Sequence, residues 1–269
     1  MAGPAILTLP LSVILALWLP AVRNGSDAVR ASRAVTGTGE PHLVHERGAL
    51  ASGAGTLAEL LPHLAPVREV AAILPRPGDP MGAPAVRSAD LLDAGEGVLV
   101  RRPGDPGGER CGVLVPARER YGSIFEQGEL VTWTVDHDVT DHLPAPSLLL
   151  AGVESLSHAR REIQLALSEA VEALEALDVA RDRPDLAEDL LDLSLATVPD
   201  RLLPPGLEPR RLDVLERAAR LLAIVDLATS DDGAAVTAGQ AGARAAALAN
   251  VERSARHALA AASATRSPL

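Results

Sequence analysis

The sequence predicts an α+β protein in which a small mixed or antiparallel β-sheet with flanking helices precedes a C-terminal bundle of about four to five helices. Residues 1–146 contain short β-type runs that are bounded by Gly and Pro and are not separated by long helices. Residues 147–269 instead repeat apolar residues with the period of a helix. We therefore predict an α+β region with a mixed sheet over residues 1–146 and a helical bundle over residues 147–269.

The chain opens on an apolar run, AILTLPLSVILALWL, over residues 5–19. The run is shorter than the ~20 residues that span a bilayer, and no positively charged segment precedes it, so the pattern favours a buried helix from Leu11 to Leu19. Export or membrane anchoring through residues 5–19 is the alternative. A buried helix, together with the single cysteine Cys111, favours a cytoplasmic location.

Helix and strand signals then alternate through the first half. Ser26 or Asp27 is predicted to cap a short helix that ends at the following glycines, and a Thr56/Glu59 capping box predicts a helix over residues 57–64. The predicted strands are Leu43–Val44 at an edge, Arg68–Leu74, Gly97–Arg101, Cys111–Val115 and Glu129–Asp136.

The second half carries only helix signals. Its predicted helices run from Val153 to Arg181, from Pro184 to before Pro199, from Pro209 to the Asp231–Gly233 turn, from a Thr237/Gln240 capping box to about Ala249, and from beyond Asn250 to about Ala264. Residues 241–264 are rich in Ala, and such a face suits either the association of subunits or close packing inside the chain.

Composition excludes several classes of function. The net charge is −11, spread over both halves, which argues against binding to duplex DNA. The sequence has 4 aromatic residues (2 Trp, 1 Tyr, 1 Phe), too few for a surface on which single-stranded bases stack. It contains no Lys, so a P-loop lysine and a Schiff-base lysine are excluded. No cofactor fingerprint is present, and we predict no cofactor.

A repeated pentapeptide, RPGDP, follows two of the predicted strands. If both loops emerged at one edge of the sheet, Arg76, Asp79, Arg102 and Asp105 would line an anion or nucleotide site. The alternative is structural, because Pro-Gly presets a type II turn and Pro, Gly and Asp are common in turns.

A second cluster combines carboxylates and imidazoles in the segment DHDVTDH. Its members are candidate ligands for a divalent metal ion: Asp136, His137, Asp138, Asp141 and His142. The spacing matches no familiar metal motif, so a solvated acidic loop is the alternative. Cys111 lacks a recognisable His partner and is predicted to be an inert, buried thiol.

Three stretches resemble uncharacterised actinobacterial proteins of similar length: LPLSVILALWLP at residues 9–20, GDPMGAP at residues 78–84 and LDVARDRPD at residues 177–185. The resemblance implies a self-contained family and no particular activity.

These observations favour a cytoplasmic, non-catalytic interaction or scaffold protein with an acidic helical surface. Its expected partner is another protein or a second copy of the chain, bound through the C-terminal helices, and neither a nucleic acid nor a membrane is expected. The alternative function is that of a small-molecule or nucleotide-binding enzyme that uses the paired RPGDP loops.

Overall fold

The computed structural model describes residues 6–48, 50–104, 108–123, 126–176, 192–229 and 238–266. The chain divides into two compact units. The first, here called the sheet unit, combines Pro10–Val153, Asp200–Leu207 and Ser263–Leu269. The second, here called the helical unit, combines Met1–Leu9, Glu154–Pro199 and Glu208–Ala262. Each unit is therefore built from segments that are distant in sequence.

Six strands form one mixed sheet within the described residues, in the order β1-β5-β4-β3-β2-β6. Strand β1 is parallel to β5, and all other neighbouring strands are antiparallel. The mixed α+β architecture and the edge position of β1 are thus confirmed. The strands are β1 Leu43–Arg47, β2 Glu69–Ile73, β3 Gly97–Pro103, β4 Glu109–Ser123, β5 Glu126–Asp136 and β6 Thr265–Arg266.

Helix α1, Leu11–Trp18, confirms the predicted buried helix, since every residue from 12 to 19 is buried. Its N-terminal amide groups need partners because they lie away from water. The carboxylate of Glu96 supplies one, accepting a hydrogen bond of 2.8 Å from Ser12 N, while Arg118 donates to the other oxygen of Glu96 at 2.7 Å. None of the helices in the described residues combines the length and the apolar character that crossing a bilayer requires.

Three more helices belong to the sheet unit: α2 Gly25–Thr36, α3 Leu57–Leu64 and α4 Ser88–Ala94. The predicted cap of α2 was wrong by two or three positions. Asn24 caps this helix, and its side chain accepts a hydrogen bond from Asp27 N at 3.0 Å. The Thr56/Glu59 capping box is confirmed. Helix α4 was not predicted, since its seven residues are too short for a clear period.

The β4–β5 hairpin is longer than predicted. Pairing continues from Val113↔Asp136 to Ser123↔Glu126, whereas the sequence indicated that β4 ends at Val115. The added part of β4 includes residues 117–122, all of which are exposed. Alternation of apolar and polar residues predicts a strand only where one face is buried, and here neither face of β4 is.

The helical unit contains α5 Leu156–Ala176, α6 Pro209–Thr229 and α7 Ala238–Ser263, with a further helical turn at residues 192–195. Helix α5 begins at Leu156 rather than Val153. The predicted break at Asn250 was wrong, because α7 continues through it and the Asn250 side chain accepts a hydrogen bond from Arg253. The predicted helix start at Pro184, the turn at 231–233 and the cap at Thr237 lie outside the described residues.

Candidate functional site

The register of β2 and β3 separates the two RPGDP loops. These strands are antiparallel, with Glu69 opposite Arg101 and Ile73 opposite Gly97. Arg76 therefore follows one end of the strand pair, where it donates to Gly95 O at 2.9 Å. Arg102 lies at the other end and donates to His63 O at 2.8 Å. The two arginines do not share a site, and Asp105 lies outside the described residues.

The first RPGDP copy is a turn. Arg76 N donates to Asp79 O at 3.0 Å, Asp79 N donates to Arg76 O at 2.9 Å, and Gly78 adopts a φ of 84° between them. A positive φ of this size favours glycine. The geometry therefore agrees with the structural alternative for this copy.

The DHDVTDH segment directs its side chains to different partners. Asp136 pairs with Arg87, His137 with Glu46, and Asp138 accepts a hydrogen bond from Thr140 N at 2.9 Å. Asp141 and His142 are exposed on a short 3-10 helix. Within the described residues, no three His, Cys, Asp or Glu side chains converge as metal ligands would. The proposed metal site thus lacks the necessary geometry.

A cluster of three polar side chains, Glu46 and His137 with buried side chains and Arg102 half-buried, joins the ends of β1, β3 and β5. His137 Nε2 contacts Glu46 Oε1, and Arg102 Nη2 lies 3.3 Å from His137 Nδ1. Because a guanidinium only donates, His137 Nδ1 must accept and Nε2 must carry the proton. The side chains of His137 and Glu46 are 3% and 4% exposed. Both ring nitrogens are thus occupied and shielded from solvent.

Glu46 also fixes the loop that follows β1. Its carboxylate accepts hydrogen bonds from Gly53 N at 2.7 Å, Ala54 N at 3.0 Å and the Ser52 hydroxyl at 2.9 Å. Burial acts to raise the pKa of Glu46, but hydrogen bonds from Ser52, His137 and Ala54 outweigh it and lower the pKa to about 2. Burial also lowers the pKa of Arg102. Glu46 and His137 are shielded from solvent and bind each other, so they offer no open position to a substrate. We expect this cluster to stabilise the fold.

Cys111 behaves as predicted, as a small buried side chain. Burial raises the pKa of its thiol to about 11, so the nucleophilic thiolate is scarce at neutral pH.

His42 and Trp133 form a second buried pair. Trp133 Nε1 donates to His42 Nδ1 at 3.2 Å, and burial, followed by the charge of Arg118, lowers the pKa of His42 to about 4. The usual pKa of a histidine is 6.5, so His42 stays neutral in the folded protein at pH values at which it is protonated in the unfolded chain. This contribution to stability is present above about pH 6.5 and is lost as the pH falls through about 4.

We therefore expect wild-type protein to lose stability between about pH 6.5 and 4, with His42 contributing on the order of 1–2 kcal/mol. His42→Gln keeps an acceptor for Trp133 but does not titrate, so its stability should change less over this range. Urea unfolding followed by tryptophan fluorescence measures the difference. His45→Gln, an exposed neighbour, is the control and should retain the wild-type slope; an unchanged slope in His42→Gln would contradict the assignment.

The helical unit contains an open cleft of about 800 Å³ between α5 and α6, here called the arginine cleft. Residues spaced by one helical turn line each side, which is why they share a face. The lining residues from α5 are Leu156, Ser157, Arg160, Arg161 and Gln164. Those from α6 and the residue before it are Glu208, Arg210, Val214 and Arg217.

The arginine cleft is positively charged, whereas the chain as a whole is negatively charged. Arg160 and Arg217 share the carboxylate of Asp213, at 4.0 Å and 3.4 Å. Arg161 and Arg210 are exposed and form no ion pair within the described residues. Four guanidinium groups thus stand against two carboxylates, Glu208 and Asp213, in a protein whose net charge is −11. This excess of positive charge suits an anion.

One of these arginines, Arg210, also lies where it does not help its helix. Acidic residues stabilise the first turn of a helix and cations disfavour it, by roughly 0.3–1 kcal/mol each. Neither α5 nor α6 has an acidic residue in its first turn, and Arg210 is in the first turn of α6. Glu154, which precedes α5, is instead 3.2 Å from His257 Nδ1. A residue that lies where it destabilises its own helix is typical of a binding site.

Sequence reasoning missed this cleft. The available signal was the pair of doublets Arg160-Arg161 and Arg210-Arg211, each near a predicted helix start in an acidic half of the chain. Their meeting depends on the packing of α5 against α6, which no local pattern encodes.

Two family models match the chain. Residues 12–148 match the Rv1486c-like protein, N-terminal domain, and residues 157–260 match the Rv1486c-like protein, C-terminal domain. All residues that line the arginine cleft except Leu156 lie within the second match. No curated protein and no solved structure matches the chain.

Proposed function

The chain belongs to the Rv1486c-like family, and from its own side chains we propose that it is a non-catalytic binding protein that holds a small anionic molecule in the arginine cleft. The observation that carries the proposal is the convergence of four arginines, two of them without an ion pair in the described residues, on one cleft. A guanidinium group can donate two parallel hydrogen bonds to two oxygens of a carboxylate or phosphate, and this geometry provides both affinity and orientation.

The size and lining of the cleft suit a small molecule. Ligand pockets commonly measure roughly 300–1,000 Å³ and combine apolar walls with a few polar groups that fix orientation. The cleft lies within that range, with Leu156 and Val214 as apolar wall and Gln164 and Ser157 as neutral hydrogen-bonding groups. Since the cleft offers no paired acid and base beside a nucleophile, binding is the function that its residues support.

Calorimetric titration with inorganic phosphate, at constant ionic strength maintained with chloride, tests the proposal. We expect saturable binding at one site per chain, and Arg161→Gln should weaken it about 10-fold by removing one charge-assisted hydrogen bond. Arg253→Gln removes the same charge from an exposed position on α7 and should leave the affinity unchanged. Absence of binding heat, or equal losses in both variants, would refute the proposal.

A protein partner is the second candidate function, favoured by two exposed apolar side chains of the helical unit. Leu165 is 57% exposed and Leu195 is 71% exposed. In the Ala-rich part of α7, the residues from Ala258 to Ala262 are buried, whereas Ala243, Ala245, Ala246 and Ala249 are exposed, so only the first half of this stretch offers an Ala face to a partner. We also propose that the helical unit is a bundle of about four to five helices and that the protein is cytoplasmic.

A further inference from the structure

We infer that the ligand of the arginine cleft is a dianionic head group attached to an apolar body. This inference rests on the proposed function and adds the charge and shape of the ligand. It arises from the balance of charge in the cleft and from the position of its apolar wall.

The charge of the head group follows from the balance of arginines and carboxylates in the cleft. Arg160 and Arg217 are already partly neutralised by Asp213, at 4.0 Å and 3.4 Å, so they contribute less to a ligand. Arg161 and Arg210 form no ion pair in the described residues, but the carboxylate of Glu208 lines the same cleft. The four arginines and the two carboxylates, Glu208 and Asp213, therefore leave a net charge of +2. A monoanion would balance half of that charge, whereas a dianion would balance all of it. Like charges that line one cleft repel each other, and a dianion bound there offsets that repulsion.

The apolar body follows from the wall of the cleft. Leu156 is half-buried and lines the same space as the arginines, whereas Val214, which also lines it, is only 2% exposed. Leu156 therefore supplies most of the apolar surface that water reaches on this wall. A bare inorganic anion would contact the guanidinium groups and leave this apolar surface exposed to water. A ligand with a small ring or alkyl body would cover it, and each Å² of apolar surface removed from water contributes roughly 25 cal/mol.

Two kinds of molecule share this chemistry: phosphate monoesters, which carry a charge of about −1.5 to −2 at neutral pH, and dicarboxylates. Three probes that share one benzene ring distinguish them. Phenyl phosphate and phthalate are dianions, and phenyl sulfate is a monoanion of nearly the same size and shape as phenyl phosphate.

At about pH 8 we expect phenyl phosphate to bind about 10-fold or more tightly than phenyl sulfate, as measured by calorimetry. At about pH 5, below the second pKa of phosphate near 6, phenyl phosphate becomes a monoanion and the preference should disappear. Phenyl sulfate remains a monoanion throughout, so its affinity controls for titration of the protein. Phenyl phosphate should also bind more tightly than inorganic phosphate, because of the apolar wall.

Two variants test which residues interact with the second negative charge of the ligand. In Arg161→Gln the preference of phenyl phosphate over phenyl sulfate should fall to about two- or three-fold, while Arg253→Gln should keep the wild-type preference. Phthalate binding as tightly as phenyl phosphate assigns the site to dianions of either kind, and weaker binding of phthalate assigns it to phosphate esters; both results support the inference.

Equal affinities for phenyl phosphate and phenyl sulfate at about pH 8 would overturn the dianion while leaving anion binding intact. Equal affinities for phenyl phosphate and inorganic phosphate would overturn the apolar body. Failure of every anion to bind would overturn the proposed function itself, so the failures are distinguishable.

Discussion

Glu46→Gln is expected to lower the free energy of unfolding by about 1–3 kcal/mol, because it leaves buried donors without an acceptor. Both oxygens of Glu46 accept hydrogen bonds, from His137 and Ser52 on one side and from the amides of Gly53 and Ala54 on the other. Glutamine would replace one of these oxygens by an NH₂ group. One of the two sets of donors would then face another donor instead of an acceptor. Urea unfolding at neutral pH, followed by fluorescence of the two buried tryptophans, Trp18 and Trp133, measures the loss.

The same unfolding experiment, repeated at acidic pH, gives a second test of the role of Glu46. Because the pKa of Glu46 is lowered from 4.5 to about 2, its contribution is present above about pH 4.5 and is lost as the pH falls toward 2. The stability difference between wild type and Glu46→Gln should therefore shrink over that range. Glu40→Gln, an exposed change of the same kind, should cost less than about 0.5 kcal/mol. A Glu46→Gln loss no greater than that of the control would mean that the cluster does not stabilise the fold.

The elements that could be predicted from the sequence are those whose signals are local. The Thr56/Glu59 capping box specifies α3 through two reciprocal hydrogen bonds within four residues. The apolar run that is bounded by a proline on each side specifies α1. The alternation of Val131, Trp133 and Val135 with polar residues specifies β5 as a half-buried strand. In each case the residues that determine the structure are neighbours in the chain.

The contacts that could not be predicted are those that depend on pairing between distant segments. Glu46 and His137 are 91 residues apart and meet only because β1 lies parallel to β5. The RPGDP repeat shows the converse. Loops that follow adjacent antiparallel strands emerge at opposite ends of the sheet, so similar sequences after β2 and β3 are separated by the fold.

Removing Arg161 and Arg210 together should have the largest effect on binding. The double variant Arg161→Gln, Arg210→Gln is expected to bind phenyl phosphate about 100-fold more weakly than wild type, since each lost charge-assisted bond corresponds to about 10-fold. Both residues are exposed and form no ion pair in the described residues, so the variant should fold with nearly unchanged stability. Calorimetry gives the affinity, and thermal unfolding without ligand gives the stability.

That titration of the double variant is the most direct test of the arginine cleft as a binding site. The expected result is a loss of about 100-fold in affinity for phenyl phosphate at about pH 8, with wild-type unfolding behaviour. The control pairs Arg253→Gln with Arg120→Gln, two exposed arginines outside the cleft, and removes the same total charge. Wild-type affinity in the double variant, or an equal loss in the control pair, would contradict the account.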